Sequence, residues 1–234
     1  NKLRPLLDPH LRNVLAQRNP RFNIRQVVRD KKILLVPLQK GVVGPQAAEL
    51  LGAVLVAELW QAIRERAATP PENREPIMVY LDEVQEYLRL PTELGDALAT
   101  SRSLGAAFHV AHQFRDQLPP SMNAAFEANC RSRVFFQLYP RDAKAVASGT
   151  PQLEAEDFTA LPAFHVYAQL VHDGAVQPWA SGVTLPPPKP TSDPTDIRRR
   201  SRTLYGQPIS AIEAGLLDLL DQSVPEDIGG SRRA

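Results

Sequence analysis

Two adjacent acids, Asp82 and Glu83, follow the five mostly apolar residues IMVYL at 77–81. In an open α/β sheet, ligands collect beyond the carboxyl ends of the strands. Successive residues at a strand end project differently, so neighbouring carboxylates there can serve two roles. One can hold a magnesium ion, usually through water, because magnesium keeps most of its hydration shell. The next can polarise a water as a general base, provided that it lies near a transferred phosphoryl group. An apolar run followed by Asp and Glu is the order expected of a nucleotide hydrolase of the P-loop type. The same order also arises when a strand leaves the core and simply meets solvent.

Gln113 closes a second apolar stretch, AAFHVAHQ (106–113). From an adjacent strand tip its amide could reach the same crevice and sense a γ-phosphate by hydrogen bonding; capping the following turn is the plainer alternative. Upstream, Arg102 sits at an expected helix end, where a guanidinium could be presented to a neighbouring subunit's phosphate or remain a solvated charge that interacts with the helix dipole. Other chemistries find little support. His109 and His112 are three apart on an expected strand and face opposite sides, while His10, His165 and His172 are scattered, so a zinc site is not expected. Cys130 is the only cysteine, which rules out an intramolecular disulfide and reads as a small buried apolar residue. No Gly-X-Ser-X-Gly elbow occurs. A phosphate cradle needs a Gly-rich loop with Lys and Ser or Thr entering a helix; GVVGPQA (41–47) has no lysine, and Pro45 removes an amide donor. GTPQ (149–152) does not qualify either.

The elements that must position these residues are legible from periodicity and punctuation. KKILLVPLQ (31–39) reads as a strand buried on both faces. PQAAELLGAVLVAELWQAIRER (45–66) reads as a long helix opened by a proline. IMVYL is the next strand, and LPTELGDALATSRSLG (90–105) a helix with Thr92 as cap and Gly105 as stop. AAFHVAHQ is a third strand, residues 116–132 are helical after their prolines, RVFFQLY (133–139) is a fourth buried strand, and 140–148 form a short helix. HVYAQLVHDGAVQPWASG then alternates on either side of Asp173-Gly174, a strong hairpin signal. The expected class is therefore α/β, with a mostly parallel sheet and an antiparallel pair at its edge.

With 43% hydrophobic and 23% charged residues among 234, the composition is that of a globular chain. The longest apolar tract, LLGAVLVAELW (50–60), contains Glu58 and falls short of the roughly 20 residues that a membrane span needs. Net charge is +1 but unevenly spread: residues 1–40 hold ten Lys or Arg against Asp8 and Asp30, leaving that segment +8 and the rest −7. Such asymmetry suits contact with a polyanion, or it is a solvated basic face. LPPPKPTSDP (185–194) cannot join a sheet or helix interior and reads as a linker. Beyond it lie the basic RRRSRTLYGQ and a short amphipathic helix, ISAIEAGLLDLLDQ (209–222). The expected organisation is a basic lead-in at 1–30, a main domain at 31–184, a proline-rich and basic linker at 185–200, and a tail at 201–234. Because the first residue is Asn1 rather than Met, the chain reads as a piece of something longer.

Taken in order, KKILLVPLQKGVVGPQAAELLGAVLVAELWQAIRER, PIMVYLDEVQEYL, LATSRSLGAAFHVAHQ and NAAFEANCRSRVFFQLYPRDAKAVA resemble the C-terminal half of the motor domain of conjugative DNA-transfer ATPases. These are the type IV secretion coupling proteins of the TraG and TraD kind, relatives of the FtsK and HerA translocases. The resemblance runs from about residue 1 to about 190, and the HVYAQLVHDG hairpin with its proline-rich exit is similar to the family's ending. It implies a RecA-like P-loop NTPase, a three-layer sandwich that here lacks the Walker A portion. Asp82 then resembles the magnesium-side acid of Walker B, Glu83 the catalytic glutamate, and Gln113 the sensor. Arg102, Arg131 and Arg133 are the candidates for an arginine that contacts a neighbour's nucleotide. The implied cofactors are ATP and Mg2+. The implied partners are DNA bound without regard to sequence, further copies in a hexameric ring, and secretion-apparatus or relaxosome proteins. The implied placement is cytoplasmic, at the inner face of the membrane if an anchor precedes Asn1. Without a cradle, the fragment alone is not expected to hydrolyse ATP. A binding or assembly module without hydrolysis and an unrelated metal-dependent phosphohydrolase using Asp82 and Glu83 are the rival readings.

Overall fold

The computed structural model describes residues 9–87 and 94–222. Along the chain come α1 (Pro9–Leu15), α2 (Ile24–Arg29), α3 (Lys40–Val43), α4 (Pro45–Arg64), β1 (Ile77–Leu81), α5 (Leu94–Thr100), β2 (Ala106–Val110), α6 (Pro120–Asn129), β3 (Arg133–Phe135), α7 (Pro140–Ala147) and α8 (Ala155–Thr159). Next are β4 (His165–Gln169), β5 (Val171–His172), β6 (Ala175–Val176), β7 (Ala180–Val183), α9 (Pro194–Tyr205) and α10 (Ile209–Gln222). Residue chemistry sets several of these boundaries. Pro45, Pro120, Pro140 and Pro194 each stand at the first helical position, where a missing N–H costs nothing. After α5 a 3-10 turn, Ser101–Leu104, ends on Gly105 in the left-handed region (φ 71°), as expected of a helix stop. Thr92, the expected cap of that helix, lies outside the described residues.

The chain divides into two units, one made of Asn1–Leu55 with Pro190–Ala234 and the other of Val56–Lys189. In the second, β1 and β2 pair in parallel, from Ile77 opposite Ala106 to Leu81 opposite Val110. Their inner face packs on the last turns of α4: Ile63, Val79 and Ala106 form one buried cluster, with Leu59, Trp60 and Phe108 against it. A second cluster, Val84, Leu94, Ala97, Leu118 and Phe126, ties the tips of both strands to α5 and α6. A three-stranded antiparallel sheet, β3-β4-β7, completes the unit. Its core is Phe158, fully buried, with Phe135, Tyr167 and Trp179 around it at centroid distances of 5.5–6.0 Å. Among the described residues α4, continued to Ala68, is the one helix long and apolar enough to cross a membrane. With Ala53 and Ile63 at most 1% exposed and its end packed on the strands, it reads as a core helix. In the first unit, α1 and α10 lie together, and α9 is exposed along its length.

Three expectations are corrected. Residues 31–39 form no strand: none of the described strands pairs with them, and Ile33 and Leu35 are 90% and 78% exposed. A short apolar run becomes a strand only when a ladder partner is available, which periodicity cannot reveal. Residues 133–139 give only the short β3, and it runs antiparallel to β4 instead of joining β1 and β2. Past Phe135 the chain turns away, with the Leu138 N–H donating to the Phe158 carbonyl (3.1 Å) and Pro140 opening α7. The parallel sheet thus has two described strands, and the fold is mixed α/β. The hairpin is as expected: Asp173 (φ 49°) and Gly174 (φ 77°) make the two-residue turn between β5 and β6. The linker ends sooner than expected, because Asp193 caps α9 by accepting from the Thr195 N–H (2.8 Å).

Candidate functional site

The pairing of β1 with β2 continues past both strand ends. The Ala111 N–H donates to the Leu81 carbonyl (3.0 Å), and the Val84 N–H donates back to the Ala111 carbonyl (3.0 Å). Between those two bonds only Asp82 and Glu83 turn the chain, and Val84, with no exposed surface, anchors the 3-10 turn Val84–Tyr87. Glu83 therefore adopts φ 49°, a left-handed conformation that a residue with a Cβ rarely holds. Such strain, of order 1–3 kcal/mol, concentrates at functional sites. The Asp82 Oδ1 accepts from the Glu83 N–H (3.1 Å) while the Asp82 side chain stays exposed.

Two amides hold the Glu83 carboxylate. Gln113 Nε2 donates to its Oε1 (2.8 Å), and Gln85 Nε2 donates to its Oε2. Gln113 is itself placed by the turn after β2. The Gln117 Oε1 accepts from the backbone N–H of both Gln113 (3.0 Å) and Phe114 (3.1 Å). Asp142 on α7, only 7% exposed, accepts from the Arg115 N–H (2.9 Å), and Asn123 on α6 donates to the Arg115 carbonyl (3.0 Å). A chain of hydrogen bonds thus runs from two helices through the 113–118 turn to one carboxylate. Chemically, the tip offers an exposed carboxylate, a half-buried carboxylate in a fixed orientation, and a primary amide beside it.

The three candidate arginines have positions or partners of their own. Arg102 is exposed on the turn that precedes β2. The five residues of β2 put it at the opposite end of that strand from Gln113. Arg131 donates to the Gly174 carbonyl (3.0 Å). Arg133 donates to the Glu127 (2.8 Å) and Cys130 (3.1 Å) carbonyls, closing the C-terminus of α6. The structure brings Asp82, Glu83 and Gln113 together, places Arg102 at the other end of β2, and engages Arg131 and Arg133 with backbone carbonyls. Sequence reasoning missed Gln85, Gln117 and Asp142. Gln117 is half of a capping box whose usual Ser or Thr is replaced by Phe114, which hides the pattern. It also missed Arg66 and Arg74, which fasten the opposite strand ends by donating to the carbonyls of Gly105 (3.4 Å) and Ser103 (2.5 Å) respectively.

For a magnesium nucleotide the fit is partial. Among the described residues no group of three or more His, Cys, Asp or Glu could hold a metal. A single exposed carboxylate suits magnesium when phosphate oxygens and water complete its shell. The Gln85 Oε1 is buried without a hydrogen-bond partner, while the same amide's Nε2 donates to the Glu83 carboxylate. Residues 41–47 form the end of α3, Gly44 and the start of α4, with no lysine at the helix entry.

A parallel strand pair with acidic and amide tips, packed between helices, defines an α/β protein with a strand-tip site. Residues 4–152 match the family described as type IV secretion-system coupling protein DNA-binding domain. That match covers well over half of the 234 residues, and the chain belongs to this family. Two solved structures share the fold. One is a bacterial conjugative coupling protein, TrwBdeltaN70, in an unbound monoclinic form, with 18% identity and a TM-score of 0.56. The other is the plasmid coupling protein TrwB in complex with the non-hydrolysable GTP analogue GDPNP, with 17% identity and a TM-score of 0.53. Each similarity covers 69% of this chain and 43% of the solved one, so the chain spans less than half the length of those structures. No curated protein matches.

Proposed function

We propose that this chain is the Walker B and sensor portion of an ATP-driven DNA translocase that couples DNA to a conjugative or type IV secretion apparatus. The observation that carries this reading is the Glu83 carboxylate, held in a left-handed turn at the tip of β1 and gripped by Gln113 from the tip of β2. In this reading Asp82 would hold Mg2+, and Glu83 would accept a proton from the attacking water. Gln113 reports the state of the γ-phosphate to the 113–118 turn. Bound Mg2+ would supply charge neutralisation on the phosphates. The cradle for those phosphates belongs to parts of the longer protein that these residues do not include. An arginine acting on a neighbouring subunit is best sought at Arg102, which is exposed, whereas Arg131 and Arg133 spend donors on backbone carbonyls. Partners on this reading are DNA, further copies in a hexameric ring, and secretion-apparatus or relaxosome proteins at the cytoplasmic face of the membrane.

The test is turnover in the longer protein. Glu83→Gln keeps the size and loses the base, and is expected to lower ATP hydrolysis by about 10²–10⁴-fold with nucleotide affinity retained. Unchanged turnover would remove Glu83 from the chemistry. One observation favours a second reading, a binding module without hydrolysis: the helix entry at 44–47 offers no lysine to a phosphate. That module would show no nucleotide-dependent turnover in any length of the protein.

A further inference from the structure

The second unit carries the strand-tip carboxylates, whereas exposed positive charge gathers in the first. The sequence of Asn1–Leu55 with Pro190–Ala234 holds sixteen Lys and Arg against ten Asp and Glu. Within it α9 has Arg198, Arg199, Arg200 and Arg202 in five positions, and every residue from Pro194 to Leu204 is exposed. Arg198 and Arg202, four apart, lie on one face about 6 Å apart along the axis. Arg199 pairs with Asp196 (2.8 Å), and among the described residues no ion pair engages Arg198, Arg200 or Arg202.

The far end of α9 is fastened to the basic N-terminal segment, some 185 residues away in the chain. Arg21 donates to the Gly206 carbonyl (3.2 Å), and the Gln207 amide donates to the Gln17 Oε1 (3.1 Å) and the Asn19 carbonyl (2.9 Å). Tyr205 meets Phe22 edge to face (6.1 Å), with the Lys32 ammonium 5.9 Å from the Tyr205 ring. These contacts place the C-terminal end of α9 beside exposed Arg21, so two basic stretches of the chain meet there.

We propose that α9, with Arg21 at its C-terminal end, is a contact surface for nucleic-acid phosphates. α9 lies outside residues 4–152, which define the family match. Exposed guanidiniums without acidic partners are what sequence-independent phosphate binding requires, and each phosphate neutralised releases condensed counterions. A membrane surface fits less well. The apolar side of α9 consists of Ile197 and Leu204, 52% and 64% exposed, with no Trp or Phe to insert. The inference rests on DNA as a partner and is independent of hydrolysis.

Binding of a mixed-sequence duplex, and of a single strand of the same length, is measured by fluorescence anisotropy with the whole chain over about 50–200 mM salt. Replacing Arg198 and Arg202 together by Ala is expected to weaken binding about 10-fold or more at the low-salt end. It is also expected to reduce the slope of log K against log salt by about two. The two arms show which form of nucleic acid the surface takes. Arg198→Lys with Arg202→Lys keeps the slope, and Arg141→Ala with Lys144→Ala, removing equal charge from the second unit, leaves it within about one of the wild-type value. An unchanged slope in the α9 double variant would overturn the proposal while leaving DNA as a partner elsewhere on the chain. An equal loss in the Arg141 and Lys144 variant would overturn it too, since any charge would then serve. Absence of wild-type binding, with or without capture by anionic vesicles, removes both the surface and the DNA reading.

Discussion

The two units of this chain use charge in opposite ways. In Val56–Lys189, sixteen Asp and Glu face eleven Lys and Arg, and the acids that matter are held: Glu83 by two amides, Asp142 buried against a backbone N–H. In the other unit the basic side chains of α9 stand in solvent. A held charge can act on one atom in one direction, as general base catalysis requires. A solvated charge on a flexible stem serves a partner whose sequence and register vary. The first is built by packing and the second by exposure, so substitutions should separate them.

The largest effect is expected where packing dominates. Phe158→Ala empties the space between Phe135, Tyr167 and Trp179. It is expected to cost about 3–5 kcal/mol in urea unfolding, whereas Arg200→Ala on α9 changes stability by less than about 0.5 kcal/mol. Similar losses from both would erase the distinction between the units. A smaller effect of opposite sign belongs to the strand tip. Glu83→Gly removes the Cβ from a left-handed residue and is expected to raise stability by up to about 1 kcal/mol while abolishing turnover. A loss of stability would mean that the two amide contacts outweigh the backbone strain.

The smallest effect concerns Cys130. Burial raises its thiol pKa above the ordinary 9.0, a tendency that Arg133 partly offsets. Alkylation of the folded chain should therefore lag behind that of a free thiol at every pH below the raised value. The linkage has one sign: folding favours the protonated thiol, so this contribution is intact below 9.0 and is lost as pH rises through the folded-state value. Alkylation as fast as in the urea-unfolded chain would show that the thiol is not shielded.

Legibility from sequence divided along the same line. Asp82, Glu83 and Gln113 could be read because an apolar run that stops at a polar residue marks a strand tip, and the parallel pairing of β1 with β2 brings tips together. Asp173-Gly174 could be read because left-handed turns restrict residue type. The hidden features depend on partners distant in sequence. Residues 31–39 look like a strand yet find no ladder, and β3 pairs with β4 rather than with the parallel strands. Gln117 and Asp142 matter through one backbone N–H or two, which no residue pattern announces. α9 was obscured by the prolines before it, one of which, Pro194, opens the helix.

The central claim is that Glu83 and Gln113 act as one unit across the two strand tips. A double-mutant cycle on kcat for ATP hydrolysis in the longer protein tests it most directly. Gln113→Ala alone is expected to lower kcat at least about 10-fold, yet to add almost nothing once Glu83→Gln is present. Losses that multiply in the double variant would contradict the claim, showing that the 2.8 Å contact between the two side chains has no part in catalysis.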